Sequence, residues 1–324
     1  MSTVPLLDLS TATPQAAVSA LRQFGAVRVC DPSVPTARCE QALADAVALF
    51  ARPQADKDAL AIAQSPHYRG YSRMHNARDW REQIHFGPEQ PRSTESASWT
   101  RLEGPNLWPA DPAWRDRMRA YLAAVDDLGQ RLLSLVAQGL GLPADAFASE
   151  HPPYLLMKLI AYHPQADARP LRSGVAAHLD FSWVTLTLQD DTGGLEVMDP
   201  EGCWFPVHPV PGSWLVNVGE LLQFATRGAL VATPHRVLNP SSSRSRVSIP
   251  VFINPGLRAR VAPLDLPELA LPDTHGRPHV HHVLDPAAPR QAFVFGPAEW
   301  RRKGENRWCR LCTDASSDVV PPPG

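Results

Sequence analysis

The sequence predicts a mainly β fold with flanking helices: a β-barrel or double-sheet jelly roll behind an N-terminal helical and mixed region. Three observations point there. Between residues 154 and 254, short β-like runs alternate with Gly/Pro turns, the pattern of a small barrel or sandwich. Residues 112–140 instead repeat apolar side chains at three and four, which is one long amphipathic helix. The chain of 324 residues, 44% hydrophobic and 20% charged, is long enough to bury a large core.

From the N-terminus, residues 4–10 read as a short strand and turn. Thr13 to Gln23 reads as a helix, with Thr13 as N-cap and Pro14 at the first helical position. Gly25 to Cys30 reads as a strand, and Pro35 to Phe50 is apolar at helical spacing. Residues 92–108 are polar with Pro and Gly and read as a loop. Pro112 to Leu140 is the long helix, with a core stripe at Met118, Tyr121, Leu122, Val125, Leu128, Leu132, Leu135 and Val136. The Gly139-Leu140-Gly141-Leu142-Pro143 run stops it. Tyr154 to Tyr162 reads as a buried strand, and residues 164–174 as a Pro/Arg loop. Further strands are expected at 184–188, 195–197, 204–207, 214–218, after His235, and at 246–253, with Asp190 to Gly194 as a turn. Beyond Pro255 the chain is Pro-rich, with a final helix expected over the barrel mouth near 300–312 and a disordered tail from Val319. The expected organisation is an N-terminal region 1–150, a barrel core 151–257, and a C-terminal cover and tail 258–324.

Charge and composition exclude several classes. A net charge of −2 gives no electrostatic case for nucleic acid. No apolar stretch approaches the roughly 18 residues of a membrane-spanning helix, and Met1 to Pro5 lacks the basic and apolar regions of a signal peptide. Five scattered cysteines, at 30, 39, 203, 309 and 312, fit reduced cytoplasmic thiols. Cys309 and Cys312 have a redox or zinc spacing but no second pair, so they read as incidental. His275, His279, His281 and His282 read as a solvated Gly/Pro loop rather than a second metal site. The expected partner is a small-molecule substrate, the expected state a monomer or homodimer, and the expected location the cytoplasm.

The chemistry concentrates in residues 176–254. His178 and Asp180 are two apart, so on an extended strand they share a face. His235 follows on a β-like run, and Arg246 and Ser248 share a face of the next. Two imidazoles and one carboxylate form a mixed N/O set with positions left open. That set suits a non-haem Fe(II) binding O2 and a co-substrate together; structural zinc prefers Cys-rich closed sets, and magnesium prefers oxygen.

The spacing of His178-x-Asp180, His235 and Arg246-x-Ser248 resembles the Fe(II)/2-oxoglutarate-dependent dioxygenases of the isopenicillin N synthase-like family. So do Gln189 to Val197, Val216 to Glu220, His235-Arg236-Val237 and Phe252 to Pro255. The resemblance implies a double-stranded β-helix (jelly-roll) barrel. It also implies His178, Asp180 and His235 as ligands of Fe(II), with 2-oxoglutarate and O2 taking the open positions. Arg246 and Ser248 would hold the far carboxylate of 2-oxoglutarate. The family often places an Asn and a Tyr before a Pro at the end of the preceding strand. Aligned on Pro164, this chain has Ala161 and His163 there, so Tyr162 or His163 is the expected substitute. Tyr68, Arg69, Arg81 and His85 have family counterparts at the active-site mouth and are substrate-pocket candidates, as are Phe181 and Trp183 beside the triad. The activity implied is oxidation of a small molecule by hydroxylation, desaturation or cyclisation, with release of succinate and CO2, in specialised metabolism. Within the family, an oxidase using no 2-oxoglutarate and an ethylene-forming enzyme are the alternatives; a barrel that only binds is disfavoured by the intact motifs.

Overall fold

Strand alternation divides the apolar residues of this chain between two faces of one large sheet, and the architecture follows from what covers each face. The computed structural model describes residues 4–76, 79–164, 173–199, 201–238, 244–267 and 293–296. The His275–His282 loop, Cys309, Cys312, the expected final helix and the tail lie outside the described residues. Along the chain run β1 (Leu6–Asp8), α1 (Pro14–Phe24), β2 (Ala26–Cys30), α2 (Thr36–Phe50), α3 (Gln54–Asp58), β3 (Gly70–His75) and β4 (Trp80–Phe86). Then come α4 (Pro112–Gly139), β5 (Tyr154–Tyr162), β6 (Val175–His178), β7 (Val184–Gln189), β8 (Leu195–Met198) and β9 (Trp204–Pro206). β10 (Ser213–Val218), α5 (Glu220–Ala225), β11 (His235–Val237), β12 (Arg246–Asn254), β13 (Arg260–Val261) and β14 (Phe293–Val294) complete the order.

Eight strands form one sheet in the order β1-β2-β10-β7-β12-β5-β4-β3, and four form a second, β6-β11-β8-β9. Ile160, Tyr162 and Leu215 of the first pack with Val175, Val197 and Val237 of the second. The two sheets therefore face each other as a jelly roll, and neither closes into a ring. The outer face of the larger sheet carries Leu159, Leu186, Ile249 and Ile253, which join α1, α2 and α4 in the main core. The α4 stripe is buried as its spacing requires, apart from Leu135, which is partly covered. At Gly129 the helix touches the sheet: a Cβ there would lie 2.7 Å from Ile253 Cδ1. At the start of α1, Thr13 Oγ1 accepts from the Ala16 N–H at 3.2 Å. Gly25 ends α1 in the left-handed region at φ 66, which a glycine enters without steric cost. No helix among the described residues is long and apolar enough to cross a membrane.

The structure adds elements that local patterns do not announce. Residues 70–86 form the hairpin β3–β4, which extends the large sheet through β5. The loop 92–108 contains a 3-10 turn, Ser98–Leu102, and a buried Asn106 that bonds Gly87 and Glu89. The boundary near residue 150 does not interrupt the sheet, since β2 pairs with β10 and β4 with β5.

A buried charge cluster fastens the added hairpin. Glu82 on β4 accepts from Lys57 Nζ at 2.7 Å, Tyr71 Oη at 2.5 Å and His163 Nε2 at 2.7 Å. These donors come from α3, β3 and the end of β5. Burial alone would raise the Glu82 pKa, but the three hydrogen bonds and the Lys57 charge outweigh it and hold the carboxyl at about 2, against an ordinary 4.5. A carboxyl depressed on folding stabilises the fold above its unfolded pKa and loses that contribution as pH falls through the folded one. Glu82 should therefore contribute about 3 kcal/mol at neutral pH, lost between roughly pH 4.5 and pH 2. Urea unfolding of Glu82→Gln across pH 7 to 2 should show a less stable protein whose acid-side slope is flatter than wild type. Equal slopes in the two proteins would mean that Glu82 is not the titrating group.

Candidate metal centre and co-substrate site

β6 and β11 are antiparallel neighbours, and their register sets His235 directly opposite His178. Each imidazole is fixed by its own strand. His178 Nδ1 lies 2.9 Å from Ala176 O, and His235 Nδ1 lies 3.0 Å from Thr233 O. A carbonyl accepts only, so Nδ1 carries the proton in both rings, and Nε2 faces away from the backbone. Both Nε2 atoms turn to one carboxylate: His178 Nε2 is 3.6 Å from Asp180 Oδ1, and His235 Nε2 is 3.6 Å from Asp180 Oδ2. The three ligand atoms lie within 4.8 Å of one another, a His–Asp–His metal site. Its donor set is that of the facial triad for non-haem Fe(II).

The surroundings hold Asp180 charged and aimed. Burial would raise its pKa, but His235, His178 and the Asn217 and Thr185 hydrogen bonds bring it below the ordinary carboxylate range. Asn217 Nδ2 donates to Oδ2 at 2.9 Å, setting the rotation of the carboxylate. The Glu220 N–H donates to Asp180 O at 2.8 Å and the Gly219 N–H to Trp183 O at 3.0 Å, so the turn entering α5 clamps residues 180–183. Gly219 is required there, because a Cβ would fall 2.1 Å from Ser182 O. The His178 pKa is lowered, by desolvation first and then by the neighbouring His235. Its side chain is 39% exposed.

A second polar site lies on the large sheet. Arg246 on β12 is 1% exposed. Its Nε donates to Gly193 O at 2.7 Å and its Nη2 to Gln189 Oε1 at 3.1 Å, while Nη1 is buried with no hydrogen-bond partner. The guanidinium lies 5.0 Å over the ring of Tyr162, its cross-strand partner. Ser248, 2% exposed, is two residues further along the same face. A buried guanidinium with one nitrogen unmet and no carboxylate partner among the described residues fits the carboxylate of a bound acid. The residues present therefore fit both an Fe(II) and 2-oxoglutarate.

The remaining candidates separate by place. His163 has both ring nitrogens engaged, Nε2 with Glu82 and Nδ1 with Ser245 Oγ at 3.1 Å, leaving neither for a co-substrate, unlike Tyr162. Arg69 is fully buried against Tyr154, Leu102 and Gly87, part of the wall rather than a surface loop. Tyr68 beside it takes a left-handed backbone, φ 54. Arg81 is buried on β4, ion-paired with Asp79 at 3.5 Å, and close enough for its charge to lower the His178 pKa. Phe181 stacks on Phe295 with ring centroids 6.0 Å apart. Trp183 packs on Phe147 at 5.6 Å and lines an outer cleft with Ala225, Pro255 and Leu264. Asn217 and Gln189 were not foreseen; a polar side chain inside an apolar strand, as in Val216-Asn217-Val218, was the available signal.

Comparison with known proteins bears on both halves of the chain. Residues 152–255 match the 2OG-Fe(II) oxygenase superfamily, and residues 4–111 match the N-terminal region of non-haem dioxygenases in morphine synthesis. The 2-oxoglutarate-dependent dioxygenase frbJ of Dothideomycetidae sp. is 30% identical, covering 93% of this chain and 86% of the relative. A 2-oxoglutarate-dependent dioxygenase of Gibberella zeae is 31% identical over 88% of this chain and 80% of its own. In fold, a 2OG-Fe(II) oxygenase family protein of Caulobacter crescentus superposes with a TM-score of 0.76, at 24% identity over 94% of this chain and all (100%) of that one. Similarity of this extent, running through both the N-terminal region and the barrel, means that the chain belongs to the Fe(II)- and 2-oxoglutarate-dependent dioxygenases of the isopenicillin N synthase-like superfamily.

Proposed function

We propose that His178, Asp180 and His235 ligate the iron of this dioxygenase, that Arg246, Ser248 and Tyr162 hold 2-oxoglutarate, and that a small-molecule substrate is hydroxylated, desaturated or cyclised beside them. One observation carries the assignment: two imidazoles on paired strands, each with Nδ1 tied to its own backbone, turn Nε2 to a single carboxylate. Bound Fe(II) and 2-oxoglutarate supply O2 activation coupled to decarboxylation, yielding succinate and CO2 and an oxidant for an unactivated C–H. The protein supplies position and dryness. Asp180 brings the one negative charge of the triad, and the Asn217 amide keeps both its oxygens in register with the two imidazoles. Arg246 offers Nη1 and Nη2 on one planar edge, the fork that matches a carboxylate. Ser248 adds a hydroxyl on the same face, and Tyr162 walls the guanidinium from water. Hydroxylation is the default outcome; desaturation and ring closure differ in the fate of the substrate radical. Free Cys30, Cys39 and Cys203 support a reduced, cytoplasmic setting.

Two substitutions separate these roles. Arg246→Leu leaves a bound carboxylate buried without its partner, a loss of roughly 3–5 kcal/mol, or about two to three orders of magnitude in affinity. Isothermal titration should show that loss for 2-oxoglutarate with Fe(II) affinity retained, and Arg246→Lys should recover part of it. Unchanged 2-oxoglutarate affinity in the Leu variant would remove Arg246 from the site. Asn217→Ala tests the metal side. Loss of a side chain that orients a ligand costs about ten- to a hundredfold in metal affinity. Competition with a chelator should reveal such a drop in the variant, and wild-type iron affinity would count against the role given to Asn217.

A further inference from the structure

Resting on the reading above, we infer that Asp190 is a positioning residue for 2-oxoglutarate: it holds the bend after β7 whose acceptors aim the Arg246 guanidinium at the far carboxylate. β7 and β12 run antiparallel, and the last pair of their register is Gln189 with Ser248. One rung further, the Asp190 N–H donates to Val247 O at 3.0 Å. The return bond of such a rung ordinarily goes to the backbone carbonyl of the same residue. Here the Val247 N–H donates to the carboxylate instead, to Asp190 Oδ2 at 2.6 Å. The side chain thus completes the ladder while its own backbone leaves the sheet. The other oxygen, Oδ1, accepts from the Thr192 N–H at 2.9 Å, the side-chain-closed turn that Asp favours. Both oxygens of one charged group are therefore occupied by backbone N–H groups, one on each side of the bend, and charge-assisted bonds of this kind are the strong ones.

The bend delivers two acceptors to Arg246. Gly193 and Gly194 both lie in the left-handed region, at φ 80 and φ 88, which glycine enters without steric cost. That backbone turns Gly193 O to Arg246 Nε at 2.7 Å, while Gln189 Oε1, at the end of β7, takes Nη2 at 3.1 Å. A guanidinium is planar, so fixing two of its nitrogens fixes the third. Nη1, buried and without a partner, is thereby aimed by the bend. Gly194 O in turn accepts from the Leu238 N–H at 2.8 Å, one residue past β11, the strand of His235. The same bend therefore ties the strand of Arg246 to the strand of a proposed metal ligand, and so relates the two ends of the co-substrate site. Asp191, the next residue, is a contrast. Its side chain is 80% exposed and pairs with the exposed Arg244, a surface pair that contributes little.

The test uses the full chain loaded anaerobically with Fe(II) and two keto acids. One is 2-oxoglutarate; the other is 2-oxopentanoate, which has the same carbon chain and metal-chelating end but no far carboxylate. Isothermal titration gives both affinities, and their ratio reads the contact with Arg246. Wild type should favour 2-oxoglutarate by about a hundredfold or more, and Arg246→Leu should abolish the preference. Asp190→Ala should cut the ratio by about tenfold or more, the effect expected when a charged hydrogen bond loses its alignment. Its affinities for 2-oxopentanoate and Fe(II) should stay within about threefold of wild type. Asp190→Asn, which keeps one acceptor in the bend, should recover part of the ratio. In the Arg246→Leu background, Asp190→Ala should change 2-oxoglutarate affinity by less than about threefold, because the two residues act as a unit. An added Cβ at Gly193 meets no atom within 4 Å, so Gly193→Ala disturbs only the backbone at φ 80. It should cut the ratio in the same way, and it carries the test if Asp190→Ala does not fold. Asp191→Asn should leave the ratio at the wild-type value. The inference is overturned if Asp190→Ala or Gly193→Ala keeps the wild-type ratio, if either weakens both keto acids alike, or if Asp191→Asn matches Asp190→Ala. A wild type without preference for 2-oxoglutarate, or an Arg246→Leu variant that keeps the preference, would instead defeat the assignment of Arg246 on which the inference rests.

Discussion

The antiparallel pairing of β6 with β11 places His235 across from His178, and the metal site depends on that register more than on any other contact. Side chains alternate, so a one-residue slip would send one imidazole to the outer face of the small sheet. Asp180 cannot compensate, because it sits just past the end of β6, where the Glu220 N–H holds its carbonyl. The next pair along, Val175 with Val237, lies across a one-residue shift in that register and is buried in the cluster between the sheets. On the other side of β11, His235 is held by its pairing with Val197 of β8.

The larger sheet separates chemistry from stability by face. Its outer side is apolar and covered by α1, α2 and α4. Its inner side is polar where it looks toward the metal, with Arg246, Ser248, Gln189 and Asn217 all buried. Buried polar groups are expensive unless partnered, and the partnering is dense: Gln189 and Gly193 take two nitrogens of Arg246, and Asn217 takes an oxygen of Asp180. On that face Arg246 Nη1 is left over, where the proposed carboxylate of 2-oxoglutarate would meet it.

Much of this is legible in the sequence where the determinants are local. The cap at Thr13 and the α4 stripe follow from neighbours three and four residues away, and both appear as expected. The triad is legible because a metal demands specific donors at a strand spacing. The β3–β4 hairpin is not: residues 68–86 are rich in polar and charged side chains, and the sequence offers them as substrate-pocket candidates with no strand announced. They are buried by partners far away in the chain: Glu82 by Lys57 and by His163, Arg69 by Tyr154 and Leu102. His163, expected with Tyr162 as a co-substrate contact, instead bonds Glu82 and Ser245 for the same reason. Adjacent strand residues point to opposite faces, and only the sheet order shows which face holds the metal.

The most direct measurement is an anaerobic Fe(II) titration of the wild-type chain, with and without 2-oxoglutarate, followed by visible absorption. The account predicts iron binding in both cases and a metal-to-ligand charge-transfer band only when 2-oxoglutarate is present, because the co-substrate must chelate the metal that His178, Asp180 and His235 hold. Iron that binds without ever developing the band on addition of 2-oxoglutarate would contradict it.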